Sequence, residues 1–278
     1  VVKGVQVEDV WNTEDKVLRR VFESADCIIH TAGPFLDRSP STLKLAMKYK
    51  VPVYVDVSDP LPFLEASLLQ NHTAATTSGT TALLAAGAFP GMSNVLAMEA
   101  AGALSKGGDD RVVQNCYFSY FTSGLGGSGT LNLYITNLGF GESMGQYDAG
   151  ELRFFPALSG RLLGTVDFKL PKQEENGVVT KAVKSEGFGM DAMEQRVGTR
   201  QVFSWPFPEA ATVPVELRAR GSSLACMGTA PDAWNDMLGL LVSVIPRSWW
   251  RNKRFSQGLA DFSEPLVWLS DTALKLKD

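Results

Sequence analysis

The chain has 278 residues, 45% of them hydrophobic, and a formal net charge of −4 at pH 7. This length is enough for two domains, and this hydrophobic share is typical of a folded protein with a substantial core. The slightly acidic, evenly spread charge argues against a nucleic-acid partner bound through charge. The three cysteines are too widely spaced for a disulfide framework. No set of His, Cys and carboxylate residues has metal-ligand spacing, so we expect no metal site.

The first part of the chain predicts a sheet of parallel strands. Its predicted elements are a strand end at 5–7, a helix at 14–22, a buried strand at 26–30, a helix at 40–49 and a β-branched strand at 51–57. A tight turn at Gly33-Pro34 follows the buried strand, and the strands on either side of the 40–49 helix should pair in parallel. Ligands bind such sheets beyond the carboxyl ends of the strands, which here are 31–35 and 56–59.

Residues 60–104 predict a second strand–turn–helix step. The predicted elements are a helix at 60–70, a polar loop or weak strand at 71–81, a strand at 82–86 and a helix at 94–104 capped by Ser93. The turn at 87–91 should therefore face the same crevice as the turn after the first strand.

The pattern changes near 105–110, where we place a change of domain. Strands without crossover helices follow, and they predict a mostly antiparallel sheet. The strand candidates are 112–121, 152–155, 166–170, 179–184, 201–205 and 215–220. Residues 171–178 predict a polar hairpin loop, and helices are predicted at 232–245 and 254–276. The fold class is therefore α/β, with a parallel first domain and an α+β second domain.

A glycine-rich stretch runs from Gly124 through Gly126 and Gly127 to Gly129, between a predicted strand and a predicted helix. A dinucleotide fingerprint also needs an acidic residue ending a second strand about twenty residues on, whereas Glu151 begins its strand. Two further interpretations stay open. The helix N-terminus offers backbone N–H groups to a substrate carboxylate, or the stretch is a flexible glycine loop.

Single residues at the strand ends each allow two interpretations. Gly33 lets the backbone approach a ligand and Pro34 fixes the turn, or the pair is only a structural turn. Asp56 orients a ribose or an amide, or it caps the helix that follows. His30 is a proton donor, or a strand-end histidine without a catalytic part.

A basic cluster lies near the end of the chain. Arg247, Arg251, Lys253 and Arg254 stand beside Trp249 and Trp250. We interpret them as a solvated helix start above packed aromatic rings. A peripheral membrane contact is the alternative.

Three segments, 25–35 (ADCIIHTAGPF), 54–59 (YVDVSD) and 87–94 (GAFPGMSN), carry a family resemblance. They resemble the saccharopine dehydrogenase-like oxidoreductases, and the plant and algal branch in particular. Residues 120–129, 199–208 and 227–234 are similar as well. The resemblance implies a partial NAD(P)-binding Rossmann domain, doubly wound, over 1–108. It also implies an α+β domain over 109–278 with C-terminal helices, which serves a small-molecule substrate or a homodimer.

The resemblance also implies particular site residues. The cofactor-binding residues would be Thr31, Ala32, Gly33, Pro34, Phe35, Asp56, Pro90 and Gly91. The substrate-contacting residues would be Ser93, Asn94, Gly126 and Gly127. Asn94 stands where the saccharopine-forming enzymes have a histidine, so the substrate is open and no catalytic residue is assigned.

In the family, the glycine-rich phosphate loop comes before the third strand, which residues 5–9 resemble. We therefore expect this chain to be part of a longer protein, and its own binding of NAD(P) to be weak or absent. The algal likeness implies a plastid, and the cytoplasm is the other expectation. The alternative function is a Rossmann-derived binding or scaffold protein without catalysis, either dimeric or associated with a membrane or lipid surface.

Overall fold

A computed structural model of the chain describes residues 10, 15–105, 112–123, 129–155, 160–168, 173–175, 178–180 and 197–273. The chain forms two compact units. The first comprises residues 1–116, 147–152 and 207–223, and the second comprises 117–146, 153–206 and 224–278. A single division after residue 108 does not describe these units, because the first takes in two later segments. The predicted change of domain falls largely on 106–110, outside the described residues.

A parallel three-stranded sheet in the order β1-β2-β3 forms the centre of the first unit. The strands are β1 (Cys27–His30), β2 (Val53–Asp56) and β3 (Thr81–Leu83). The helices are α1 (Asp15–Glu23), α2 (Ser41–Lys48), α3 (Leu61–Ser78), α4 (Met92–Ser105) and α6 (Glu209–Glu216). His30 pairs with Asp56 in the parallel register of β1 and β2. The α/β class and the parallel strand–helix–strand unit are thus confirmed.

Only one face of β1 is buried. The core of the first unit contains Phe22 of α1, Met47 of α2 and Tyr54 of β2, with Ile28 of β1 packed against it. Successive side chains of a strand point to opposite faces, so Ile29 points away from this core and is 70% exposed. Cys27 is also exposed. The prediction of a fully buried strand at 26–30 is therefore wrong.

Helix α3 extends through the segment predicted as a loop or weak strand. The Thr76 and Thr77 hydroxyls donate to the carbonyls of His72 and Thr73, at 3.0 and 2.9 Å. These bonds lie along the helix, so the hydroxyls do not pull the backbone into another conformation. The helix ends where Gly79 adopts a left-handed φ of 76°.

A four-stranded sheet in the order β4-β11-β10-β7 forms the centre of the second unit. Its strands are β4 (Cys116–Ser123), β7 (Leu162–Asp167), β10 (Thr199–Ser204) and β11 (Ser223–Ala230). Strand β10 runs antiparallel to both β7 and β11, as predicted for this part of the chain. The helices are α5 (Thr130–Phe140), α7 (Asp232–Val244), α8 (Arg247–Trp250) and α9 (Lys253–Ala273).

The chain also forms two hairpins. Strands β5 (Met144–Asp148) and β6 (Glu151–Phe155) form one. Strands β8 (Gln173–Glu175) and β9 (Val178–Thr180) pair antiparallel in the other. A hairpin is thus present as predicted, but residues 173–175 form a strand, so the loop predicted over 171–178 is too long. The rest of the predicted strand at 179–184, after Thr180, lies outside the described residues.

The predicted strand at 215–220 is wrong, because α6 occupies the start of that segment. Pro214 lies inside this helix and has no N–H group to donate to the carbonyl of Ala210, four residues earlier. The Ser223 hydroxyl donates to that carbonyl instead. A hydrogen bond from a distant residue thus supports a helix that the local sequence does not predict.

The two tryptophans of the basic cluster differ in burial. Trp250 is 1% exposed and its ring lies 5.1 Å from that of Phe140, whereas Trp249 is 56% exposed. Arg247 donates from Nε to the carbonyl of Gly141 at 2.8 Å. No helix in the described part of the chain combines the length and the apolar character needed to cross a bilayer.

Candidate functional site

The carboxyl edge of the parallel sheet is held together by the Asp56 side chain. Its Oδ1 accepts hydrogen bonds from the Ser58 N–H at 3.1 Å, from the Ser58 hydroxyl at 2.6 Å and from the Ala85 N–H at 3.0 Å. The Asp56 carbonyl accepts a further bond from the Ala86 N–H at 2.7 Å. Asp56 and Ser58 are fully buried. Asp56 therefore ties the end of β2 to the chain after β3, and its predicted contact with the cofactor stays a prediction.

His30 lies beneath this edge in a buried ring cluster. Its Nδ1 is 2.9 Å from the Tyr54 hydroxyl, and its ring centroid is 5.0 Å from that of Phe35. Burial lowers the pKa of His30, and the Asp56 carboxylate offsets this effect only in part. Burial, followed by the nearby Asp56, raises the pKa of the Tyr54 phenol. A neutral imidazole at pH 7 favours the structural interpretation of His30 over the proton donor.

The first three residues of the turn after β1 are exposed to solvent, and its last residue is buried. Thr31, Ala32 and Gly33 are exposed to solvent, Gly33-Pro34 is a cis peptide, and Phe35 is buried. A Cβ added at Gly33 would meet nothing nearer than the Phe35 ring at 3.8 Å. Packing within the chain thus leaves space beside Gly33. Phe35 packs on Phe63, with a centroid distance of 5.2 Å, and supports the turn from below.

The turn between β3 and α4 is stabilised by its own backbone. Gly87 donates its N–H to the Pro90 carbonyl at 2.9 Å, and Met92 donates to the Gly87 carbonyl at 2.9 Å. Gly91 has a φ of 129°, and its N–H donates to Asn94 Oδ1 at 3.0 Å. Asn94 thus stabilises the turn through its side chain.

Ser93 does not cap α4, and that prediction is wrong. The helix begins one residue earlier, at Met92. The Ser93 hydroxyl donates instead to Oε1 of Glu209 at 2.6 Å. Glu209 is fully buried at the first residue of α6, where the helix dipole favours a negative side chain.

Asp59 and Glu209 are two acidic residues whose charges interact, and we call them the acidic pair. Asp59 follows the end of β2 and is an exposed residue, although protein atoms crowd its carboxyl group. This desolvation raises the pKa of Asp59 to about 6, against the hydrogen bond from the Asp59 backbone N–H, which lowers it; the negative charge of Glu209 adds a smaller increase. Water that reaches the exposed side of the residue screens part of the effect. Carboxyl groups with a pKa near neutrality can gain and lose a proton under physiological conditions.

We expect the Asp59 carboxyl to titrate with a midpoint of about 6 in a carbon-detected NMR experiment. Glu209→Gln should move the midpoint down toward the ordinary aspartate value, because it removes the neighbouring charge but keeps an oxygen for the Ser93 hydroxyl. Equal Asp59 midpoints in the wild type and in Glu209→Gln would contradict the pairing.

The sequence did not indicate this acidic pair. Asp59 lies within the predicted strand-end segment, but its residue type alone does not distinguish it from Asp56. Ser93 and Glu209 are 116 residues apart, and no local pattern links them. Gly126 and Gly127 lie outside the described residues, so their proposed substrate contact stays a prediction. Among the described side chains, no three His, Cys, Asp or Glu residues lie close enough together to hold a metal ion.

No family model matches the chain, and the comparison with curated proteins finds no match either. The family resemblance therefore depends on the quoted motifs.

Proposed function

We propose that the chain is an NAD(P)-dependent oxidoreductase similar to the saccharopine dehydrogenase-like enzymes, acting on a C–N or C–O bond. In this proposal the first unit holds the nicotinamide end of the cofactor. One observation carries it: the three segments on which the resemblance depends lie along the carboxyl edge of one parallel sheet. Asp56 accepts the Ala85 N–H through its side chain and the Ala86 N–H through its carbonyl there, next to the segment that begins at Gly87. Open α/β sheets bind ligands at this edge.

The residue types at this edge suit the nicotinamide end of the cofactor better than its phosphates. Asp59 and Glu209 would repel a pyrophosphate, whereas an oxidised nicotinamide ring is cationic and its carboxamide donates hydrogen bonds. The exposed segment 31–33 would lie against that carboxamide. When bound, the cofactor would supply hydride transfer. Because this edge addresses one end of the cofactor, we expect the chain's own affinity for NAD(P) to be weak.

Asp59 is the acid–base candidate for such a reaction. A carboxyl group with a pKa of about 6 can hold a proton for an oxygen or nitrogen that becomes negative, and can take it back in the reverse direction. Glu209 is not assigned this part, because it is fully buried and accepts the Ser93 hydroxyl. Its part in this proposal is to keep the pKa of Asp59 high.

A titration with nicotinamide mononucleotide, followed by amide NMR shifts, tests this proposal. We expect a dissociation constant of about 1 mM, with shifts at 31–33 and at Asp59 and Ser93. Ala32→Trp should weaken binding about tenfold by filling the exposed turn. Ala74→Trp, on the exposed side of α3, should not weaken it. The proposal fails if the nucleotide moves no resonance of the crevice, or if both tryptophan variants bind like the wild type.

A second candidate function, a non-catalytic interaction protein, is favoured by the surface of α9. Phe262, Leu266 and Leu269 are 72%, 48% and 61% exposed and lie at helical spacing on one face. Exposed apolar patches of this kind often serve protein association. In this alternative, two copies of the chain would associate through the α9 face. A dimer in light scattering, together with no nucleotide binding in the titration above, would favour it.

A further inference from the structure

The second unit contains a cavity between its sheet and three of its helices. Strands β4, β10 and β11 form its floor, and helices α5, α7 and α9 form its walls. Its volume is about 90 Å³, which is more than packing defects usually leave and enough for several waters or one small molecule. All lining residues belong to the second unit.

The walls of this cavity are mostly apolar. Phe203 and Met227 line the floor, and Leu238, Leu241 and Leu259 line the walls. None of the described residues that line it carries a charge. A charged ligand would therefore lose its hydration without gaining a counter-charge, which is costly. The cavity selects for an uncharged molecule with an apolar body.

A small polar group faces the same cavity. Asn137 is 6% exposed, and its Nδ2 donates to the Ser256 carbonyl at 3.0 Å, which leaves its Oδ1 as an acceptor. The other polar residues with hydroxyl or amide groups in the lining are Thr122, Asn132, Thr136, Thr229 and Ser263. A buried acceptor in an apolar cavity is best satisfied by a donor on the ligand.

We propose that this cavity is a binding site for a small uncharged molecule with one hydroxyl group, such as a phenol or a short-chain alcohol. A cavity of about 150 Å³ accepts a benzene ring, so this one, at about 90 Å³, admits a short-chain alcohol as it stands and a phenol ring only when its lining side chains move. Met227 and Met237 have flexible side chains that can adjust to its shape. This site is separate from the nicotinamide edge proposed for the first unit and does not depend on it.

Trp234 makes binding measurable, because it lines the cavity and donates from Nε1 to the Ser270 hydroxyl at 3.2 Å. We expect phenol to change the tryptophan emission of the full chain with saturation and to raise its melting temperature. Benzene, which lacks the hydroxyl, should bind about tenfold more weakly. Benzoate should not bind. Trp234→Phe should remove the emission change, which assigns the signal to this cavity.

Cavity-filling variants complete the test. Leu241→Phe should weaken phenol binding about tenfold, because the larger ring occupies the space. Leu240→Phe is the matched control, since Leu240 is the neighbouring residue on α7, is 62% exposed and does not line the cavity. Thr229→Val, which has the same shape without the hydroxyl, gives a second variant should Leu241→Phe not fold. It should reduce the preference for phenol over benzene.

Two results would overturn the proposal. One is phenol and benzoate shifting the melting temperature equally, which indicates binding without the predicted selectivity. The other is Leu241→Phe, or Thr229→Val in its place, binding phenol with the affinity and preference of the wild type.

Discussion

Gly91→Ala is expected to destabilise the chain by about 3 kcal/mol or more, or to prevent folding of the first unit. Gly91 has a φ of 129°, which residues with a side chain rarely adopt. A Cβ there would overlap the Gly87 carbonyl oxygen, and would lie 2.6 Å from the Gly87 nitrogen and 2.8 Å from the Ala85 carbonyl. These are backbone atoms of the turn between β3 and α4, so they cannot move aside cheaply. Urea unfolding followed by circular dichroism measures the loss.

Gly79→Ala is the matched control for this prediction. Gly79 also has a positive φ, 76°, but a Cβ there would meet nothing within 4 Å. Its substitution should therefore cost only the left-handed strain of about 1 kcal/mol. Equal losses in the two variants would show that the close approach at Gly91 does not determine stability. Gly91 was also predicted to contact the cofactor. A loss of nucleotide binding in Gly91→Ala therefore bears on that contact only where the variant is still folded.

Asp56→Ala is expected to cost about 3 kcal/mol, because it removes the acceptor of three hydrogen bonds at a fully buried position. The Ser58 and Ala85 N–H groups and the Ser58 hydroxyl would lose this partner. The Ala85 bond links β2 to the segment after β3, where the bond from the Ala86 N–H to the Asp56 backbone carbonyl would remain. Asp56→Asn keeps one carbonyl oxygen in the same place, so it should lose roughly half as much. The same denaturant experiment measures both.

Asp59→Ala serves as the control for Asp56. The pKa of Asp59 in the folded state, about 6, lies above the ordinary aspartate value. Ionisation of Asp59 therefore lowers the free energy of unfolding as the pH rises toward 6. Asp59→Ala removes the carboxyl group and with it this loss of stability, so the variant should be at least as stable as the wild type at pH 7. If Asp56→Ala were as stable as Asp59→Ala at pH 7, the structural part assigned to Asp56 would be wrong.

The parallel sheet could be predicted because its signal is local. The β-branched run that becomes β2 and the helical spacing of α2 each depend on residues close together in the chain, and their order requires a parallel pairing. The same argument placed the carboxyl edge at 31–35 and 56–59. It did not show which face of β1 is buried, because Ile28 and Ile29 are the same residue type and only the helices packed on the sheet distinguish them.

The same distinction between local and long-range information applies to the residues of the candidate site. The sequence by itself determined where β1 and β2 end, that Gly33 and Asp56 stand at those ends, and that Gly91 lies in the turn before α4, whereas β3 ends three residues earlier than predicted. Only the tertiary structure decided that Asp56 bonds Ala85, that Ser93 meets Glu209 rather than capping its own helix, and that Ser223 supports α6 around Pro214. Each of these contacts joins residues far apart in the chain. Such contacts form only when whole elements pack together, so no spacing within a single segment predicts them.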